Sequence, residues 1–153
     1  MATEGLEIRR ARADEADFLT GLTRRSRAWW GYDRQFLDAA RAELRFRPEK
    51  YPGFEVYMLE RGGRIFGFCS LIPRSALEVE LDDLFVEPDA IGQGYGKVLW
   101  NRAVLRAAQL GFQEMTLTAD PFYRARGAEK IGEAASTVAP NRVLPLMRYC
   151  LPK

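Results

Sequence analysis

From residue 84 to residue 97 the chain reads Leu-Phe-Val-Glu-Pro-Asp-Ala-Ile-Gly-Gln-Gly-Tyr-Gly-Lys, an apolar strand halted by a proline and followed by glycine at every second position. A helical pattern starts at once. Val98, Leu99, Ala103, Ala107 and Leu110 fall on one face, and Gly111 can end the helix. Glycines so spaced let backbone N–H groups converge on an anion, and the following helix adds its positive end. Such a loop suits phosphate. Two familiar phosphate loops do not fit it. A Walker loop needs a glycine five residues before Gly96-Lys97, where Ile91 stands, and Ser or Thr after it, where Val98 stands. A dinucleotide fingerprint needs a two-residue gap before its last glycine, but Gly92, Gly94 and Gly96 are evenly spaced.

Around this unit the pattern predicts an α/β layout with antiparallel pairs about one parallel crossover. Residues 6–10 read as a short strand. Asp14 is placed to cap a helix carrying Phe18, Leu19 and Leu22, and Asp33 a second carrying Phe36, Leu37, Ala40 and Leu44. Residues 54–59 and 65–71 are strand-like and joined by Arg61-Gly62-Gly63-Arg64, a hairpin signal. A third strand of this meander spans about residues 77–86. After the helix, Met115, Leu117 and Ala119 alternate with threonines, 122–126 suggests a brief helix, and 130–136 and 143–151 give two last strands. The length of 153 residues is that of one domain, taken here as residues 1–153.

The chain contains no histidine. That excludes Ser-His-Asp and Cys-His nucleophile pairs, an imidazole base and histidine-liganded zinc. Acid–base work falls to carboxylates, tyrosines, lysines or water, which fits a reaction whose nucleophile is already good, such as an amine attacking a thioester. Cys69 and Cys150 have no metal-like spacing and, lying in apolar stretches, are expected to be core thiols of a cytoplasmic protein. A net charge of +2 gives no argument for nucleic acid or membrane as partner. No apolar run is long enough to span a bilayer, and the N-terminus lacks a signal-peptide stretch. On strand 77–86, Glu78, Glu80 and Asp82 share one face by the two-residue period, and their mutual repulsion should raise the pKa of at least one.

The glycine loop resembles the acetyl-CoA loop of the GNAT N-acetyltransferase superfamily, Arg/Gln-x-x-Gly-x-Gly/Ala after a strand ending in Val-x-Pro. Val86 and Pro88 match the strand end, Gly94 and Gly96 the small positions, and Ile91 stands where the family has Arg or Gln. The element order agrees over nearly the whole chain. The segment Asp120-Pro121-Phe122-Tyr123-Arg124-Ala125-Arg126-Gly127 is similar to the family's Phe-Tyr-x-x-x-Gly-Phe, with Ala128 for the last phenylalanine. The resemblance implies a mixed, mostly antiparallel sheet of about seven strands with helices on both faces. It implies acetyl-CoA as acyl donor and no metal. Phe85 and Val86 would hold the pantetheine arm, and the main chain of Ile91, Gly92, Gln93, Gly94, Tyr95, Gly96 and Lys97 the diphosphate. Tyr123 would be the general acid, and Glu80, then Asp82, the base. Trp29, Trp30 and Tyr32 fall where the family's acceptor-side loop lies, as a pocket for a cation with an apolar body. The expected acceptor is a small primary amine rather than nucleic acid, and a homodimer is compatible with this reading. A non-catalytic acyl-CoA sensor and a protein N-acetyltransferase are the other readings.

Overall fold

The computed structural model describes residues 5–29, 53–118, 126–135 and 143–152. Its elements are β1 (Glu7–Arg10), α1 (Ala16–Trp29), β2 (Glu55–Arg61), β3 (Arg64–Pro73), β4 (Glu78–Val86), α2 (Tyr95–Gln109), β5 (Glu114–Thr118), β6 (Glu129–Ala135) and β7 (Val143–Cys150). The seven strands form one sheet in the order β1-β2-β3-β4-β5-β7-β6. Every neighbouring pair is antiparallel except β4–β5, the pair that α2 bridges. The mixed seven-stranded sheet is the one expected. The helix expected after Asp33 falls outside the described residues, as does the brief one at 122–126 except for Arg126, which lies in a turn.

Strand alternation divides the core between two faces. Tyr57, Leu59, Cys69, Leu71, Val79 and Leu81 point to one side and pack against Leu99, Trp100, Ala103 and Ala107 of α2. Val56, Met58 and Phe68 point to the other and meet Leu19 and Leu22 of α1. Helices therefore cover both faces. In α1 the buried positions Leu19, Leu22, Thr23 and Ser26 follow helical spacing. Each fully buried leucine contributes about 1.5–3 kcal/mol.

Two local expectations are corrected. Asp14 lies inside a 3-10 turn (Ala13–Glu15) ahead of α1, where its carboxylate accepts from the Arg12 side chain; Glu15 takes the capping role by accepting from the Arg12 N–H at 2.8 Å. Cys69 is a core thiol, but Cys150 at the end of β7 is exposed. Burial pushes the Cys69 thiol up to about 12, so it is no nucleophile at neutral pH. No described helix is long and apolar enough to cross a membrane.

Glu15 also ties β1 to this turn. Arg9 donates to its two oxygens at 2.8 and 2.7 Å, and these bonds outweigh partial burial to hold the carboxyl down at about 2. A depressed carboxyl stabilises the fold above its unfolded pKa, and that contribution is lost as pH falls through the folded value. Glu15→Gln should therefore cost roughly 1–2 kcal/mol at pH 7. Urea midpoints of the two proteins should converge as pH falls from about 4.5 towards about 2. A gap that persists unchanged across that window would remove the ion pair as its cause.

Candidate active site

β4 and β5 are paired only at Glu78↔Glu114, Val79↔Met115 and Glu80↔Thr116. Beyond Glu80 the described strands part, and among the described residues β4 continues to Val86 with only β3 paired to it. The Glu87 N–H donates to the Phe66 carbonyl at 2.7 Å, towards β3. Peptide groups alternate along a strand, so those of Phe85 also face β3, while the N–H and C=O of Leu84 and Val86 face the notch. The Phe85 ring lies on the α1 side against Phe68, with ring centroids 5.9 Å apart. The free strand edge is thus carried by Val86 and Leu84 rather than by Phe85.

At the mouth of the notch the chain makes a 3-10 turn (Pro88–Ala90) and enters the glycine loop. Gly92 and Gly94 have φ of 91° and 86°, the left-handed region that L side chains avoid, and a Cβ on either would meet only open space. Gly94 caps α2, and the first helical bond runs from the Val98 N–H to the Gly94 carbonyl at 3.2 Å. Among the described residues, no carbonyl accepts from the N–H groups of residues 92–97. These groups and the positive end of the fifteen-residue α2 form a cradle suited to a diphosphate. Gln93 and Lys97 are exposed and Ile91 is half-buried. Tyr95 differs from its neighbours: its ring is buried, stacks on Phe66 at 4.9 Å and receives a hydrogen bond from Arg61, which leaves only its main-chain N–H to the loop.

Carboxylates gather on the α1 side of β4. The register runs Ser70↔Asp83, then Leu71↔Leu81, so Asp82 is the extra residue of a β-bulge. Glu80 and Asp82 share a face as expected, with their carboxyl groups close enough to share a proton. The bulge adds Asp83, whose carboxylate accepts from the Ser70 hydroxyl at 2.8 Å. Glu80 is held by Arg74, with Nε 2.8 Å from its Oε1. Arg27 of α1 lies 5.3 Å from the Phe85 ring centroid and its charge acts on Asp83. Burial pushes Glu80 up, with Asp82 adding to it. Asp82 keeps one side open to solvent while protein crowds the others; that crowding and the charge of Asp83 push it up to about 7. Burial raises Asp83 as well, against the pull of Ser70 and Arg27. A carboxyl titrating near neutrality beside a notch is matched to accepting a proton from an ammonium.

Asp83, Ser70, Arg27 and Arg74 escaped the sequence reading. The adjacent pair Asp82-Asp83 was the available signal, but regular alternation puts its members on opposite faces and only the bulge unites them. Trp29 ends α1 with its side chain exposed, whereas Trp30, Tyr32 and Tyr123 lie outside the described residues.

A sequence profile described as the acetyltransferase (GNAT) family matches residues 19–128. No curated protein matches the chain in sequence. Solved structures similar in fold include the PaiA N-acetyltransferase from Thermoplasma acidophilum in complex with coenzyme A. It is 17% identical, with 95% of this chain and 98% of that one covered and a TM-score of 0.73. An aminoglycoside 6'-N-acetyltransferase complexed with coenzyme A is 18% identical over 96% and 98% of the two chains, with a TM-score of 0.71. The spermidine/spermine N-acetyltransferase SpeG from Vibrio cholerae is 17% identical over 98% and 95%, with a TM-score of 0.69. The profile match covers well over half of the sequence, on a sheet that parts beside a glycine loop, and the chain belongs to the GNAT acetyltransferase family.

Proposed function

We propose that this protein moves an acetyl group from acetyl-CoA to the primary amine of a small cationic molecule, by direct attack within a ternary complex. The observation that carries the reading is the notch between β4 and β5, which opens beside a loop whose N–H groups lack partners among the described residues. In this scheme the N–H groups of residues 92–97 hold the diphosphate, and the Leu84 and Val86 edge pairs with the pantetheine arm. Acetyl-CoA supplies an activated thioester. The Val86 N–H donates to its carbonyl, where negative charge develops. A carboxylate of the Glu80–Asp82 pair takes the proton of the acceptor ammonium, and the amine nitrogen forms the C–N bond as the C–S bond breaks. Tyr123 gives the departing thiolate its proton and regains one, through water, from the nitrogen as it becomes the amide; the role suits a phenol with a reference pKa of about 10.

Acidic residues beside the notch favour a cationic acceptor, and two of the similar folds bear the names of aminoglycoside and spermidine/spermine N-acetyltransferases. Titration calorimetry with coenzyme A tests the donor site, and free-thiol release across a panel of primary amines tests the reaction. Binding without thiol release from any amine would favour an acyl-CoA sensor. Tyr123→Phe should lower kcat by about 10²–10⁴-fold if the phenol is the acid, and unchanged turnover across pH would remove it from that role.

A further inference from the structure

We propose that Ser70 is a positioning residue for the acceptor reaction: its hydroxyl holds Asp83 as the anion of the Asp82–Asp83 pair, leaving the proton that the two share on Asp82. This rests on the acetyl-transfer reading for its purpose, though not for its test. Ser70 is wholly buried on β3, directly across from Asp83. A buried hydroxyl in a sheet core is costly without a partner, and its partner here is the Asp83 carboxylate at 2.8 Å. The bulge sets Asp82 and Asp83 side by side, within hydrogen-bonding reach of each other. Two carboxyls that close cannot both ionise easily, so they share one proton over a wide pH range.

Among the described residues, the groups facing the pair decide its placement. From β3, Ser70 donates to Asp83. From α1, the Arg27 charge acts on Asp83. On β4 itself, Glu80 lies within hydrogen-bonding reach of Asp82 and favours charge on it, and Arg74, from the connection after β3, is occupied by Glu80 and lends Asp82 a weaker attraction. Against the pull of Glu80 and Arg74 on Asp82, the Ser70 donor at 2.8 Å and the Arg27 charge both favour charge on Asp83. Asp82 is the more exposed member, and there a proton can be exchanged with an acceptor amine. In the doubly ionised state Asp82 accepts the ammonium proton, then passes it to water.

Ser70→Ala removes the donor and lets the shared proton settle on Asp83, so Asp82 should ionise at lower pH. The experiment is carboxyl NMR titration of protein labelled with ¹³C at aspartate, the Asp82 and Asp83 signals being assigned with Asp82→Asn and Asp83→Asn. The expected result is a fall in the Asp82 midpoint by about one pH unit, a tenfold drop in its proton affinity. Asp83→Asn should lower the Asp82 midpoint too, which supplies a second reading should Ser70→Ala fold poorly. Where an amine substrate is in hand, the acid limb of kcat/KM should move down in Ser70→Ala with the KM for acetyl-CoA unchanged; a purely structural serine would lower activity evenly across pH. An Asp82 titration that stays put in both variants, or a wild-type proton found on Asp83, overturns the proposal. The titration needs no substrate, so a protein that acetylates no amine would sink the catalytic reading while leaving this result legible.

Discussion

Gly94→Val should weaken coenzyme A binding by roughly 10²–10⁴-fold while leaving most of the fold in place. Two effects add. The residue has a φ of 86°, where a side chain costs about 1–2 kcal/mol. The added group also projects into the open space above the loop, where the diphosphate is proposed to lie. Displacing it from two charge-assisted bonds, at about 1.5–3 kcal/mol each, gives about 3–6 kcal/mol and hence the stated range. Calorimetry measures the affinity, and far-ultraviolet circular dichroism checks that the helix and sheet persist. Undiminished binding would mean that the diphosphate is held elsewhere.

Gly67→Ala should destabilise the protein by about 1–3 kcal/mol and impair catalysis as well. A Cβ there would stand 2.6 Å from the Phe85 carbonyl oxygen, 3.0 Å from Leu99 Cδ1 and 3.3 Å from Val86 Cα. Two of those neighbours are backbone and cannot swing aside. β3 approaches the end of β4 this closely only because position 67 carries no side chain, and Val86 is the donor proposed for the thioester carbonyl. Relief of the clash must push the strand end towards the notch or away from α2. A melting temperature lower by roughly 2–10 °C is expected, with kcat/KM reduced further than a stability loss of that size explains. Gly132→Ala is the control: a Cβ there meets nothing within 4 Å, and little should change.

The sheet was legible because each strand carries its own record. Two-residue alternation at Val56, Tyr57, Met58 and Leu59 puts residues on both helix layers, and helical spacing from Val98 to Ala107 marks the crossover helix. The glycine loop was legible because its conformation leaves few residues able to stand there. The acceptor side was less so. Alternation placed Glu80 with Asp82, but a bulge is set by how two strands fit, and nothing local to Asp83 announces that it turns to join them. Ser70 and Arg27 reach the same place from β3 and α1, distant in sequence, and such meetings follow from the tertiary fold alone. Cys150 illustrates the reverse error: an apolar neighbourhood in sequence put it inside, whereas its position at the end of β7 leaves it in water.

An interior strand that loses its neighbour halfway is a margin in the middle of a sheet. Among the described strands the molecule has three such margins: β1, β6 and the upper half of β4. Unpaired margins invite other chains to zip on, and natural sheets discourage this with local distortion and charge. β4 has both, a bulge at Asp82 and acids at positions 80, 82 and 83. The acids described above as proton carriers therefore also deter self-association while the cleft stands open, since a second copy laid alongside would bring like charge against like.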